Sequence, residues 1–359
     1  MKILLISHST GIKGPIDFFE DYLIRNDENK NADKVYKLEH PLNKYNTRNS
    51  CFYENKINKE RWTRKGSPIA NLFIDLFISL KIIHKVHPDI IIGANNFDTL
   101  AAILSKYFFR YNYRKIIYFA SDFSGNRFRN ILLNEIYFIV EKIVLKKSDL
   151  IISNTKRAEK KRLLLGLNKN KSLVIPNGIY IDKPDFSDKK INKKNFIYIG
   201  HVSKEHGIVN LISVIYPLIE KITVIGQGDE WKELVKILRV NNIKHELYLR
   251  KKHSFVINKL KEFHGFGLAP YTDFSEWTYY CSPLKVNEYV ACGVPVIMSN
   301  VPEVAQKIER DKLGVVYGDL TYKEIKEKIE RFSPKDFNIK ARKFYNNYNY
   351  QVLYKKINL

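Results

Sequence analysis

The chain is poor in cysteine, methionine and tryptophan: three, two and three residues in 359. Cys51, Cys281 and Cys292 are too few and too scattered to build a disulfide framework or a zinc site, and they fit a reducing cytoplasm. Long apolar runs are missing too. The most apolar stretch, "NLFIDLFISLKIIHKVH", is broken by Asp75, Lys81 and His84, short of the roughly 20 residues a membrane span needs. The first ten residues, "MKILLISHST", lack the shape of a signal peptide and read as a first strand. Acidic residues are scarce relative to basic ones, 38 Asp and Glu against 61 Lys and Arg, for a formal charge of +23. The excess is spread along the chain: residues 1–180 carry 31 basic and 17 acidic residues, and 181–359 carry 30 and 21. Nucleic acid, an anionic membrane surface and phosphorylated substrates are the partners such a charge suits; a compositional bias toward Lys, Asn and Ile accounts for it equally well.

What is present is ordinary for a soluble globular protein, with 45% hydrophobic and 28% charged residues and length enough for two cores. Short β-rich apolar runs alternate with longer helical patterns, the mark of parallel α/β architecture. Strands are expected at 2–7, 89–93, 115–120, 150–154 and 172–177, with helices at 14–25, 68–87, 97–110, 128–147 and 155–166. After a polar connector at 179–195 the pattern restarts, with strands at 196–200, 221–226, 245–250, 265–270 and 294–299 and helices at 207–219, 229–240, 254–263 and 283–291. The expected fold is two doubly wound Rossmann-like domains, 1–178 and 196–334, facing a cleft, with a last helical segment at 335–359 packing back across them. In such sheets ligands bind beyond the carboxyl ends of the strands.

One helix carries an unexpected charge. In "YYCSPLKVNEYVACGVPVIMSN" Ser282 is a good N-cap, Pro283 suits the first helical position, and Gly293 and Pro295 mark the stop. Lys285 then falls in the first turn, where the positive end of the helix disfavours a cation by a few tenths of a kcal/mol, about 0.3–1, unless an anion joins it. A diphosphate there would gain from the free backbone N–H groups and from the ammonium. Glu288, three residues on, could accept hydrogen bonds from sugar hydroxyls; a solvated Lys285–Glu288 pair is the plain alternative.

Here the residues resemble the nucleotide-sugar-dependent glycosyltransferases of the GT-B fold, family 4 above all. Pro283, Leu284, Lys285, Glu288, Tyr289, Ala291, Gly293, Pro295, Val296 and Ile297 stand in step with the family's segment. "SDLIISNTKRAEKKRLLLGLNKNKSLVIPNGI" is similar to the end of its N-terminal domain, "FIYIGHVSKEHGIVNLI" to the first strand, loop and helix of its donor domain, and "ITVIGQGDEW" to its second glycine loop. The resemblance implies donor-domain contacts from Gly200, His201, Gly226, Gly228 and Ser282, a diphosphate near Lys285 and a ribose on Glu288. Two departures stand out. Tyr280 occupies the place of a second family glutamate, and His201 and His206, with Lys204 nearby, occupy places usually held by Arg and Lys. A related group, the xanthan-type glucuronosyltransferases, offers a second template with an N-domain aspartate as base.

For a base that takes the acceptor's proton, Asp122 in "IIYFASDFSGNRF" follows a buried strand and could be held by Arg127 or Arg129; capping of the next helix is its plain alternative. His8 is the other candidate. Gly11 and Gly14 in its loop suggest close approach to a ligand, and Asn95 and Asn96 could bind acceptor hydroxyls or only serve a turn. No Asp-x-Asp pair follows a strand, so metal-independent chemistry without a cofactor is expected. "SKYFFRYNYRKIIYF" interleaves aromatics and cations as a lipid headgroup interface does, although a helix with snorkelling cations running into a core strand looks the same. The resulting expectation is transfer from a UDP- or GDP-linked sugar to a glycan, lipid-linked, at the cytoplasmic face of a membrane, with no nucleic acid partner. The alternative is a non-catalytic GT-B protein that binds nucleotide or glycan beside a partner enzyme.

Overall fold

The computed structural model describes residues 1–9, 13–25, 33–41, 49–63, 68–120, 123–125, 127–128, 130–181, 183–187 and 189–359. Asp122, Gly11 and Arg129 lie outside them. The chain forms two compact units, Met1–Pro176 with Tyr354–Leu359, and Asn177–Leu353.

In the first unit the elements run β1 (Lys2–Ser9), α1 (Pro15–Arg25), β2 (Lys34–Pro41), β3 (Asn49–Glu54), β4 (Ile57–Thr63), α2 (Pro68–Val86), β5 (Ile90–Gly93), α3 (Asn96–Phe108), β6 (Lys115–Ala120), α4 (Ile131–Lys147), β7 (Leu150–Ser153), α5 (Lys156–Leu164) and β8 (Ser172–Val174). They make one sheet in the order β4-β3-β2-β1-β5-β6-β7-β8, parallel except where β3 pairs with β2 and β4. The central strands are buried on both faces, as their unbroken Ile and Leu runs require. The β3–β4 hairpin was not expected from sequence. Its turn is Asn55–Lys56, both left-handed (φ 46° and 68°), the geometry that fits the twist of paired strands. Tyr354 returns to this unit, its ring 4.9 Å from that of Phe19 and its hydroxyl donating to the Pro15 carbonyl at 2.8 Å.

The second unit runs β9 (Asn195–His201), α6 (Ile208–Ile215), β10 (Lys221–Gln227), α7 (Trp231–Val240), β11 (Lys244–Tyr248), α8 (His253–Lys261), β12 (Phe266–Ala269), α9 (Glu276–Tyr280), α10 (Leu284–Ala291), β13 (Val296–Ser299), α11 (Ala305–Arg310), β14 (Gly314–Tyr317), α12 (Tyr322–Arg331) and α13 (Phe337–Tyr348); α14 (Tyr350–Tyr354) leads out. Its sheet is wholly parallel, in the order β11-β10-β9-β12-β13-β14. Strand order reverses beside β1 in the first sheet and beside β9 in the second. Those reversals open crevices at the strands' carboxyl ends, and the described candidates His8, Asn95, Gly200 and Lys285 lie there.

Candidate functional site

In the second unit the site is built on α10. Helix α10 is pinned by Tyr289, whose buried hydroxyl accepts from Ile199 N at 2.9 Å and donates to the Leu268 carbonyl at 3.1 Å. One turn earlier, on the same inward face, Lys285 follows. Its side chain is not at the solvated end of a helix: the residue is 8% exposed, with Nζ 4.3 Å from the Tyr198 ring centroid, 5.2 Å from that of Tyr271 and 3.3 Å from the Tyr198 hydroxyl. Among the described residues no carboxylate comes within ion-pair distance of it. Burial lowers its pKa to about 7, against the smaller opposing pull of Cys281 and Glu288. Tyr198 sits on β9 and Tyr271 follows β12, so the ammonium stands in an aromatic box at the crevice.

Gly200 is next to last in β9, with φ +124°, and a Cβ there would lie 3.1 Å from Lys285 Nζ. Gly226 and Gly228 also sit at strand ends, but the space their side chains would need is taken by the protein's own backbone. A Cβ at Gly226 would fall 1.9 Å from the Gly200 carbonyl oxygen, and one at Gly228, 2.1 Å from that of Val202. Gly226→Ala therefore forces β10 off β9; a loss of about 2–4 kcal/mol is expected, read as a lower urea midpoint, and an unchanged midpoint would contradict this packing.

Glu288 makes a 2.7 Å contact to His253 Nε2 on α8, a partner the sequence did not suggest. Ser282 does not cap α10, contrary to expectation. The helix begins at Leu284, and the Ser282 hydroxyl accepts from Asn177 N at 3.0 Å while its carbonyl accepts from Asn177 Nδ2 at 2.7 Å. It ties down the "IPNGI" segment instead. His201 is exposed, 5.9 Å ring to ring from His206. His206 is packed against Tyr271 and Trp277, and burial, then the Lys285 charge, then His201, hold its pKa down to about 3. It is neutral, so of the expected phosphate clamp it can supply a hydrogen bond but no charge. Lys204 lies over the exposed Phe274 ring at 5.7 Å, and Tyr280 is buried on α9.

The first unit brings its own candidates together at the reversal between β1 and β5. His8 sits between two buried carboxylates, Nδ1 2.8 Å from Asp98 and Nε2 3.3 Å from Asp75. Burial opposes its charge, but the two aspartates outweigh it and raise the pKa to about 9. His8 is thus an imidazolium at neutral pH with both nitrogens engaged, and it has no free lone pair to serve as a base. Behind it His40, buried against the hydroxyls of Ser50 and Ser79, has its pKa lowered by burial. Asn95 is the N-cap of α3, its Oδ1 accepting from Asp98 N at 2.9 Å and its Nδ2 donating to Asp98 at 2.6 Å. Asn96 turns inward, donating to the Tyr137 carbonyl at 3.3 Å, so it cannot reach an acceptor hydroxyl. Gly14 opens α1, where its N–H donates to Asp17 at 2.6 Å; a Cβ there would meet only that carboxylate, at 3.8 Å, so no close approach demands glycine. Arg127 stands exposed over the Tyr137 ring at 5.5 Å. No cluster of three or more metal-ligating side chains occurs among the described residues.

Residues 189–351 match the family described as glucosyltransferase 3-like, C-terminal domain. The chain is 26% identical over 258 residues to an uncharacterized glycosyltransferase of Methanocaldococcus jannaschii, covering 66% of this chain and 61% of that protein. The chain spans 57% to 61% of the length of the curated relatives it matches. Among solved structures, Anabaena HepE in complex with UDP superposes with a TM-score of 0.70 at 14% identity, covering 99% of this chain and 98% of that one. The lipopolysaccharide outer core galactosyltransferase WaaB superposes with a TM-score of 0.69 at 14% identity, covering 99% and 97%. These likenesses establish the GT-B fold.

Proposed function

We propose that this chain, a GT-B protein whose second half is a glucosyltransferase 3-like C-terminal domain, moves a sugar from a nucleoside diphosphate donor onto a glycan acceptor. The observation that carries the reading is Lys285: a buried ammonium with no carboxylate within ion-pair distance among the described residues, at the carboxyl ends of β9 and β12. Burying such a charge alone is costly, and a diphosphate in the crevice would restore its partner. When the bond from the sugar's anomeric carbon to the diphosphate breaks, negative charge grows on the leaving oxygen. Lys285 and the N–H groups at the start of α10 stabilise it there without having to reorganise. Glu288 exchanges His253 for the ribose hydroxyls. The acceptor's proton passes to a carboxylate, which on this reading is Asp122, next but one after β6 in sequence. His8 holds its charge between Asp75 and Asp98. No metal enters this account.

HepE's complex with UDP supports a uridine donor, and WaaB's action on lipopolysaccharide supports a glycolipid acceptor in surface polysaccharide or oligosaccharide synthesis. The test is thermal stabilisation of wild type and Glu288→Ala by UDP and GDP, followed by turnover of UDP- and GDP-linked sugars. A nucleotide at 100 times its Kd stabilises by about 2.7 kcal/mol, and Glu288→Ala should lose most of that. Binding without turnover of any donor on any glycolipid would favour the second reading, a non-catalytic binding partner, which the neutral His206 and the tyrosine at 280 recommend. Absence of nucleotide binding would remove the donor reading and leave the second one only as a glycan-binding partner.

A further inference from the structure

Helices α2 and α4 of the first unit turn apolar side chains to solvent along their outer faces. On α2, Phe73 and Phe77 stand one turn apart and are 65% and 70% exposed. On α4, Leu132, Ile136, Ile139 and Ile143 recur at helical spacing along one exposed stripe, with Ile139 56% exposed. Helix α3 packs against both and ends in the exposed Tyr107 and Phe108. The stripes meet: Phe73 and Ile136 line one cavity of 210 Å³ walled by Leu72, Leu76, Leu100 and Val140. An amphipathic helix normally turns such a stripe to the core, and a contiguous exposed patch of this kind marks a contact surface.

The charges around it say which contact. Lys81 follows Phe77 by one turn, Lys106 and Arg110 flank the aromatics of α3, and Lys142, Lys146 and Lys147 close the end of α4. Lys147 lies 5.7 Å over the Tyr107 ring. Glu135 is the single exposed acidic residue on α2 and α4. A second copy laid on this face would bring one basic rim against another, whereas an anionic headgroup layer complements it. The segment that sequence singled out, 105–119, contributes only its first part, because Ile116–Phe119 are buried in β6.

We propose that this face docks on the surface of an anionic lipid bilayer. The aromatic and isoleucine side chains of α2 and α4 seat among the acyl chains, and the lysines engage headgroup phosphates. No helix among the described residues is long and apolar enough to cross a membrane, so docking of this kind would be the chain's route to a lipid-linked substrate. The inference deepens the lipid-linked acceptor of the proposed function, and its test needs no sugar transfer, so the two can fail separately.

The experiment is co-sedimentation of the full chain with vesicles of phosphatidylcholine alone and of phosphatidylcholine mixed with phosphatidylglycerol. Wild type should partition to the mixed vesicles, less so as salt rises. Phe77→Ser and Ile139→Ser should each weaken partitioning about tenfold, and Lys146→Gln and Lys147→Gln about fivefold each. All four should keep the wild-type unfolding midpoint, since these side chains are exposed. Equal partitioning to both vesicle types, or none, overturns the proposal. So does a concentration-dependent dimer that Phe77→Ser and Ile139→Ser dissolve, which would assign the face to a second copy of the chain.

Discussion

Replacing Lys285 with methionine should lower sugar transfer by about 10²–10³-fold and yet raise, not lower, stability at pH 7, by about 1–4 kcal/mol. The two directions are opposed because the same charge that would stabilise a leaving diphosphate is costly to bury by itself between Tyr198 and Tyr271. Methionine keeps the length and the straight chain, so packing is retained. The sign of the pH dependence follows. The Lys285 pKa is about 7 folded against 10.5 unfolded, so between those values the unfolded chain holds one more proton. This group's penalty is complete below pH 7 and is relieved as pH rises toward 10.5, and the methionine variant should lack that relief. A donor that pairs with the ammonium favours its protonated form, so affinity for a nucleotide sugar should fall above pH 7, by up to about tenfold per pH unit. Thermal melts and donor titrations across pH 6.5 to 9 check each part.

Arg162→Met should cost about 3–5 kcal/mol, the largest loss expected from a single substitution in the first unit. Arg162 and Glu141 are both fully buried. The guanidinium donates to Glu141 at 3.1 Å and to the Ser153 hydroxyl at 3.2 Å, and it lies 5.7 Å and 5.4 Å over the rings of Tyr118 and Phe123. Tyr118 donates to the other Glu141 oxygen at 2.9 Å. Removing the arginine leaves a carboxylate in the core with one neutral donor. Adding Glu141→Gln to the variant should recover part of the loss, because the stranded charge is gone. Urea unfolding of the single and double variants measures this; a single-variant cost under about 1 kcal/mol would show that the pair is not the buried, coupled group described.

Local pattern made much of the architecture legible. Uninterrupted runs rich in β-branched and aromatic residues, such as "KIIYFA" and "FIYIG", fit strands buried on both faces, and the structure places β6 and β9 on them. The missed hairpin shows the limit. Strands β2 to β4 are rich in Lys, Asn and Glu, and Lys37 reads as a surface residue. It is buried because Asp17 on α1 and Glu39 beside it, the latter at 2.8 Å, satisfy its ammonium. Asn55–Lys56 was a turn signal available to the eye. β14, Gly314–Tyr317, was not expected either.

The site shows the same division. The motif around α10 located Lys285 and Glu288, because spacing along one helix is local. Their surroundings were hidden, because the partners are remote in sequence: Tyr198 lies on another strand and His253 on another helix. His8 was read as a base from its place after the expected strand 2–7; its proton is held by Asp75 and Asp98, dozens of residues away. Arg162 looked like one more cation in "TKRAEKKR", and nothing in that run distinguishes the side chain that turns inward.

In the proposed function Lys285 is a cation built to receive a diphosphate. The most direct measurement is calorimetric titration of a UDP-sugar, whose phosphates do not titrate near neutrality, into wild type at pH 8 in two buffers of different ionisation enthalpy. Binding should come with uptake of close to one proton, lost together with most of the affinity in Lys285→Met. Binding with no proton uptake, unchanged in the methionine variant, would contradict it.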